Sequence, residues 1–154
     1  MPKEIERKFL LKDDSWRSPD PGKRYRQGYL STVKERTVRV RTAGEQGFIT
    51  VKGISTGATR SEYEYEIPLA HANEMLDQLC ERPLIEKTRY RIPFGGLVWE
   101  VDEFEGDNLG LITAEVELKD EKQAVSLPRW VGEEVTGDSR YFNANLVARP
   151  FYKW

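Results

Sequence analysis

Acidic and basic side chains recur at every second position in several short segments of this chain. Near the amino terminus, Glu4, Glu6 and Lys8 alternate with Ile5 and Arg7. Successive side chains of a β-strand point to opposite faces, so the first three residues would share one face. Carboxylate oxygens bind hard divalent cations, and basic side chains bind phosphate oxygens. This face therefore carries groups that could hold a metal ion and an anion side by side.

Six further segments show the same alternation, with apolar residues on the opposite face. For any single strand, the better interpretation is a sheet with one solvent-exposed face and one buried face. Same-face neighbours lie roughly 7 Å apart, and like charges at that distance repel by about 2.4 kcal/mol at an effective dielectric constant of 20. Inside a barrel, that repulsion calls for opposite charges across the lumen, or for a metal-bound polyphosphate. The aligned residues are Arg39 and Arg41; Thr50 and Lys52; Glu62, Glu64 and Glu66; Lys87, Arg89 and Arg91; Glu100 and Asp102; and Glu115, Glu117 and Lys119.

The order of the predicted elements favours an α+β domain built on an antiparallel sheet or barrel with peripheral helices. We predict about eight strands, and the segment 13–22 is expected to be a break between the first two. Helical periodicity predicts one helix over 70–80 and another over 139–149, and a short helix is expected over 121–125. The segment 127–141 is expected to be a structured loop. The predicted strands are 3–11, 23–31, 36–43, 47–53, 61–69, 84–92, 96–104 and 111–119.

Composition narrows the function classes. The chain has 154 residues and a net charge of −2, so it fits one domain over 1–154 and has no overall basic field for nucleic acid. Its one cysteine, Cys80, cannot form an internal disulfide and fits a reducing, cytoplasmic setting. No signal peptide or membrane-spanning segment is expected, and a homodimer is left open.

The charged segments follow the order of motifs in a known family. "EIERKFL" fits the ExExK signature of the CYTH proteins, also called triphosphate tunnel metalloenzymes, and the chain resembles this family from residue 3 to about 146. The resemblance implies an eight-stranded antiparallel barrel that forms a tunnel, and it is strongest to short bacterial members that hydrolyse inorganic tripolyphosphate with Mg²⁺ or Mn²⁺. The other matching motifs are "RQGYL", "TVRVR", "TVKG", "SEYEYEI", "EKTRYRI", "WEVDEF", "AEVEL" and "WVGEEVTGDSRYFN".

The resemblance also implies a role for each matching residue. The metal ligands would be Glu4, Glu6, Glu115 and Glu117, and the phosphate-binding residues would be Arg39, Arg41, Lys52, Lys87 and Arg89. Lys8 and Tyr29 would be catalytic, and the supporting acidic tunnel residues would be Glu62, Glu64 and Asp102. Lys8 could bind phosphate as an ammonium or act as a base, although the neighbouring glutamates should raise its pKa and so oppose the second role.

Three other functions remain open at this stage. The same tunnel could house a class IV adenylyl cyclase or a thiamine triphosphatase, and both would need room for an organic group beyond the triphosphate. A non-catalytic polyphosphate-binding module would not need the glutamate cluster. An interaction domain with a decorative charged face is disfavoured by the completeness of the motif set.

Overall fold

The computed structural model describes residues 2–154, and the described residues form nine β-strands and two α-helices. Three short 3-10 turns lie at Gly106–Asn108, Ser139–Tyr141 and Phe151–Lys153. The helices are α1 (Leu69–Gln78) and α2 (Asn145–Ala148). The strands are β1 (Lys3–Leu11), β2 (Lys23–Ser31), β3 (Thr37–Ala43), β4 (Gln46–Lys52), β5 (Thr59–Ile67), β6 (Ile85–Phe94), β7 (Leu97–Phe104), β8 (Ile112–Glu117) and β9 (Val131–Glu134).

Eight of these strands close into an antiparallel barrel in the order β1–β8–β7–β6–β2–β3–β4–β5, and β5 returns to β1. One edge of β1 pairs with β8. The other edge pairs with β5 near Glu4 and with β9 near Phe9. The predicted eight-stranded barrel with peripheral helices is confirmed, and β9 is an additional short strand beside it.

The largest apolar cluster covers the outside of β1, β7 and β8. Trp99 is fully buried there, and its ring centroid lies 5.5 Å from that of Phe9 and 5.9 Å from that of Trp130. Trp16, from the break between β1 and β2, packs against the same cluster. Because the apolar side chains lie outside the barrel wall, the wall itself separates a dry outer layer from a charged interior.

Helix α1 covers the opposite side of the barrel. Its Ala72 and Leu76 are fully buried against Val40 of β3. No helix among residues 2–154 is long and apolar enough to cross a membrane.

The inward faces of several strands change from charged to apolar toward one end of the barrel. Leu10 follows Lys8 on the inner face of β1, and Ile85 precedes Lys87 on that of β6. An apolar cluster fills that end of the barrel and packs against the chain that follows β9. Its members are Leu10, Tyr29, Ile85, Phe104, Leu111, Val135, Tyr141, Leu146 and Val147.

Three predicted elements differ from the structure. The predicted loop over 127–141 contains β9, which finds hydrogen-bonding partners along β1. The predicted helix over 139–149 is interrupted at the extended backbone of Phe142, because tertiary contacts override its helical periodicity. The predicted helix over 121–125 is a turn. There, the Asp120 and Gln123 side chains accept backbone N–H groups that a helix would use differently.

Several side chains outside the charged interior have structural surroundings. Arg7 donates to Glu134 at 2.7 Å outside the barrel, Trp99 and Trp130 are buried, and Cys80 is a buried free thiol. The alternation of β5 predicts Tyr63 and Tyr65 as core or interface residues, and both side chains are exposed on the outer face of β5. Glu66, His71 and Lys119 are exposed.

We expect Gly28→Ala to destabilise the fold by about 1–3 kcal/mol, because overpacking a tight contact forces its neighbours apart. A Cβ at position 28 would lie 2.7 Å from Leu84 Cδ2 and 2.8 Å from Cys80 Cβ. Gly53→Ala is the matched control, since the nearest atom to its Cβ is 3.5 Å away. Urea unfolding of both variants measures the effect, and equal stability of the two would contradict the close packing of β2 described here.

Candidate active site in the barrel interior

The barrel encloses a cavity of about 610 Å³ lined mainly by charged side chains. Asp102 is the one predicted site residue that does not line it, and it lies buried behind the basic side chains. The structure therefore brings the predicted set together in one space. The predicted residues on the wall are Glu4, Glu6, Lys8, Tyr29, Arg39, Arg41, Lys52, Glu62, Glu64, Lys87, Arg89, Glu115 and Glu117.

Acidic residues meet where β1 pairs with β8. The register places Glu6 opposite Glu117 and Lys8 opposite Glu115, which sets paired Cα atoms about 5 Å apart. Burial and the carboxylates of Glu115 and Glu4 hold the pKa of Glu6 well above its usual value. Burial and the carboxylates of Glu4 and Glu100 also raise the pKa of Glu117. This part of the wall carries more acidic groups than its surroundings neutralise.

Lys52 links the acidic part of the wall to β4. Its Nζ lies 3.1 Å from both carboxylate oxygens of Glu4 and 3.4 Å from Glu62 Oε2. Burial favours the neutral acid at Glu4, but the Lys52 ammonium outweighs it and lowers the pKa of Glu4. Lys52 therefore stands between the acidic and basic parts of the cavity.

Two arginines from β3 line the cavity and share one carboxylate. Arg39 and Arg41 each contact Glu64 Oε2, at 3.4 and 3.3 Å, and that oxygen also accepts the Thr50 hydroxyl at 2.8 Å. Among residues 2–154, the buried Nε atoms of both arginines have no hydrogen-bond partner. Burial and the neighbouring Arg39 lower the pKa of Arg41 to about 10. One shared carboxylate leaves two guanidinium groups available to a multiply charged anion.

Asp102 holds two basic side chains of β6 in place. It is fully buried, and its carboxylate accepts Lys87 Nζ at 2.8 Å and Arg89 at 2.7 and 2.8 Å. Burial opposes its charge, but these two cations lower the pKa of Asp102. Burial outweighs Asp102 at Lys87 and lowers the pKa of that ammonium to about 8. Asp102 thus contacts the basic wall from behind the cavity lining.

Lys8 lies at the boundary between the charged cavity and the apolar end. Its Nζ donates to the Tyr141 carbonyl at 3.0 Å and lies 3.5 Å from Glu115 Oε1. Burial alone would lower the pKa of Lys8, but Glu115 and Glu6 outweigh it and raise the pKa. Of Glu4 and Glu6, the glutamates expected from the sequence to raise this pKa, Glu6 does so, and Glu115 raises it more.

Polar residues of the interior that were not predicted include Tyr25, Gln27 and Asn143. The Tyr25 ring lies 4.9 Å from the Arg89 guanidinium and 5.1 Å from that of Arg41, in cation–π geometry. Gln27 and Asn143 connect β2 to the segment after β9. Tyr25 and Gln27 share the parity of Tyr29 and could have been found by that rule, whereas nothing in the periodicity marks Asn143.

The donor set fits a divalent cation with a phosphate chain. Within residues 2–154, no three acidic, His or Cys side chains already surround a common point as metal ligands. The carboxyls of Glu4, Glu6, Glu115 and Glu117 nevertheless lie close enough to shift one another's pKa values. A cation bound among them would relieve the repulsion that raises the pKa values of Glu6 and Glu117. The guanidinium groups of Arg39 and Arg41, which share only the Glu64 carboxylate, fit phosphate oxygens in the same cavity.

Comparison with known proteins gives consistent matches over nearly the whole chain. The CYTH domain matches residues 2–151. An inorganic triphosphatase from Acetivibrio thermocellus is 54% identical, with 98% of this chain and 97% of that protein covered. An inorganic triphosphatase from Nitrosomonas europaea is 41% identical, with 94% and 96% covered.

Solved structures share the same architecture. The crystal structure of an inorganic triphosphatase matches with a TM-score of 0.64 and 38% identity, and the match covers 96% of this chain and 95% of that one. A Hippeastrum protein described as a putative adenylyl cyclase with dominant triphosphatase activity matches with a TM-score of 0.55 over 78% of this chain and 80% of its own. At 14% identity, the second match supports the fold alone.

We expect Asp102→Asn to lower the free energy of unfolding by about 3–5 kcal/mol at pH 7, because it leaves buried cations without their counter-charge. The loss should shrink toward pH 9, since Lys87 can then release its proton. Glu103→Gln is the control, because Glu103 is the next residue on β7 and pairs with Arg17 outside the barrel. Its loss should stay below about 1 kcal/mol. Urea unfolding at both pH values measures this, and similar losses for the two variants would contradict the assigned role of Asp102.

Proposed function

Since this chain belongs to the CYTH domain family, we propose that it is a divalent-metal-dependent triphosphatase that hydrolyses a phosphoanhydride bond of inorganic tripolyphosphate. The observation that carries the proposal is the pairing of an acidic and a basic wall in one enclosed cavity. An organic substrate would have to leave its apolar part among charged side chains. A chain of phosphates has no apolar part, and it can bind the basic wall directly and the acidic wall through the divalent metal.

The basic residues bind and orient the phosphate chain in this proposal. Arg39 and Arg41 line the cavity with one shared carboxylate between them, and Arg89 is held in a fixed orientation by its two contacts with Asp102. Lys52 and Lys87 add ammonium donors on either side. Charge-assisted hydrogen bonds of this kind stabilise both the bound anion and the charge that spreads over the phosphate oxygens during transfer.

Glu4, Glu6, Glu115 and Glu117 would hold the metal, which we propose to be Mg²⁺ or Mn²⁺. The bound cation would neutralise phosphate oxygens and make the phosphorus a better electrophile. Lys8 faces the same space from the end of the acidic wall and would donate to a phosphate oxygen. The Tyr29 hydroxyl accepts from Gln27 at 3.4 Å and lines the cavity, where its own proton is available to a phosphate or to the attacking water.

We further propose a single domain over 1–154 in the cytoplasm, where the free thiol of Cys80 would persist. A homodimer is also proposed. The exposed Tyr63 and Tyr65 on the outer face of β5 would be its most suitable contact surface.

Glu6→Gln should lower tripolyphosphate hydrolysis by more than about 100-fold, because the neutral amide is a poor ligand for a hard cation. The control is Glu66→Gln, an exposed residue of β5 outside the cavity lining, and it should retain activity. Phosphate and pyrophosphate release would be measured with tripolyphosphate, ATP and thiamine triphosphate, each with Mg²⁺ or Mn²⁺. Conversion of ATP to cyclic AMP would instead indicate a cyclase, and preference for thiamine triphosphate would indicate that hydrolase.

The rate constant kcat/KM should fall as the pH rises through about 8, because Lys87 then loses the charge that binds phosphate. Arginine stays charged throughout this range, so Lys87→Arg should remove this basic limb even if it lowers the rate at every pH. Rates at saturating metal between pH 6.5 and 9.5 would measure both profiles. A basic limb that stays in place in the variant would rule out Lys87 as its source.

A further inference from the structure

We propose that Asn143 is a phosphate-binding residue of the cavity and that it also positions Lys87. The proposal rests on the function proposed above and extends it, because it adds a neutral donor to a wall of charged ones. Asn143 lies between the 3-10 turn Ser139–Tyr141 and helix α2, and its side chain lines the cavity.

Buried contacts on both sides fix the backbone of Asn143. Tyr141 precedes it, and Leu146 and Val147 follow it, all in the apolar cluster that fills one end of the barrel. The carbonyl of Asn143 accepts the Leu146 N–H at 3.1 Å. The residue is therefore held at the edge of the charged cavity by the apolar packing beneath it.

Two donors fix the orientation of the Asn143 amide. Its Oδ1 accepts Gln27 Nε2 at 3.1 Å and Lys87 Nζ at 3.2 Å. Gln27 and Lys87 are both almost completely buried, so neither donor has water as an alternative partner. Reversing the amide would bring N–H groups against both donors, and the observed orientation is therefore the only one that satisfies them.

This orientation leaves the Asn143 Nδ2 group as a free donor. Across residues 2–154, Nδ2 has no hydrogen-bond partner, although the residue lines the cavity. Lys87 uses Asp102 and Asn143 as acceptors, which leaves its third N–H for the cavity as well. The two side chains thus present adjacent N–H groups, and a tetrahedral phosphate can accept one hydrogen bond from each.

The position of this pair indicates which part of the substrate it binds. Lys8 Nζ is held at the same end of the cavity by the Tyr141 carbonyl, two residues before Asn143. One short segment therefore positions both lysines and supplies a donor of its own. We assign Asn143 to the phosphate group of the triphosphate that lies nearest the apolar end of the barrel.

Asn143→Asp tests direct binding apart from positioning. The carboxylate keeps an acceptor for Gln27 and Lys87, but it replaces the free N–H with a negative oxygen that faces the phosphate. We expect kcat/KM for tripolyphosphate to fall by about 10- to 100-fold, as for loss of a hydrogen bond to a charged group, and KM to rise. Asn143→Ala should lose binding as well. Asn73→Asp is the charge control, because Asn73 lies on helix α1 outside the cavity lining and its Oδ1 accepts from Arg26, and it should stay near wild type.

Binding of tripolyphosphate in EDTA, measured by calorimetry, separates this proposal from the proposed function. Wild-type protein that binds tripolyphosphate in EDTA but does not hydrolyse it once Mg²⁺ or Mn²⁺ is supplied would refute the hydrolase and still test Asn143 through affinity. Wild-type kinetics for Asn143→Asp would overturn the proposal, and so would equal losses for Asn73→Asp and Asn143→Asp. Melting temperatures accompany each assay. Failure of both Asn143 variants to fold would also contradict it, because the residue would then be structural.

Discussion

The arrangement of this protein depends on pairing charges that the barrel removes from bulk water. Asp102 depends most on such pairing, because its carboxylate is fully buried. It contacts both Lys87 and Arg89. Without such pairs, the cost of enclosing the charges would exceed what the barrel could compensate. The pairing is nevertheless incomplete. Glu64 serves two arginines, and the carboxyls near Glu6 lack enough cations, so the interior retains binding capacity for both a cation and an anion.

A charged interior also decides where the apolar core must lie. An ordinary small barrel fills its centre with side chains, whereas this one places Trp99, Phe9 and Val116 on the outside and covers them with peripheral segments. The apolar cluster around Leu146 then fills one end of the interior. One end of the cavity is therefore closed by this apolar cluster. The segment after β9 packs on the cluster and positions Lys8 and Asn143.

Period-two alternation allowed most of this architecture to be predicted from the sequence. Glu4 and Glu6 face inward because the strand period is two, and the bounds of β1 and β2 agree with the prediction. The wrong predictions concern segments whose backbone conformation depends on contacts with distant parts of the fold. β9 forms because β1 has a free edge beside it, and residues 139–149 break at Phe142 because packing overrides helical periodicity. Asn143 could not be found, since its role depends on contacts with Gln27 and Lys87 from distant strands.

The most direct test of the account is the location of the metal and the anion in the same crystal. Crystals of the Lys8→Met variant with Mn²⁺ and tripolyphosphate would be measured at the manganese absorption edge. The account predicts an anomalous peak within about 2.5 Å of carboxylate oxygens from Glu6 and Glu117, with phosphate density against Arg39 and Arg41. Manganese or phosphate found only on the outer surface of the barrel would contradict it.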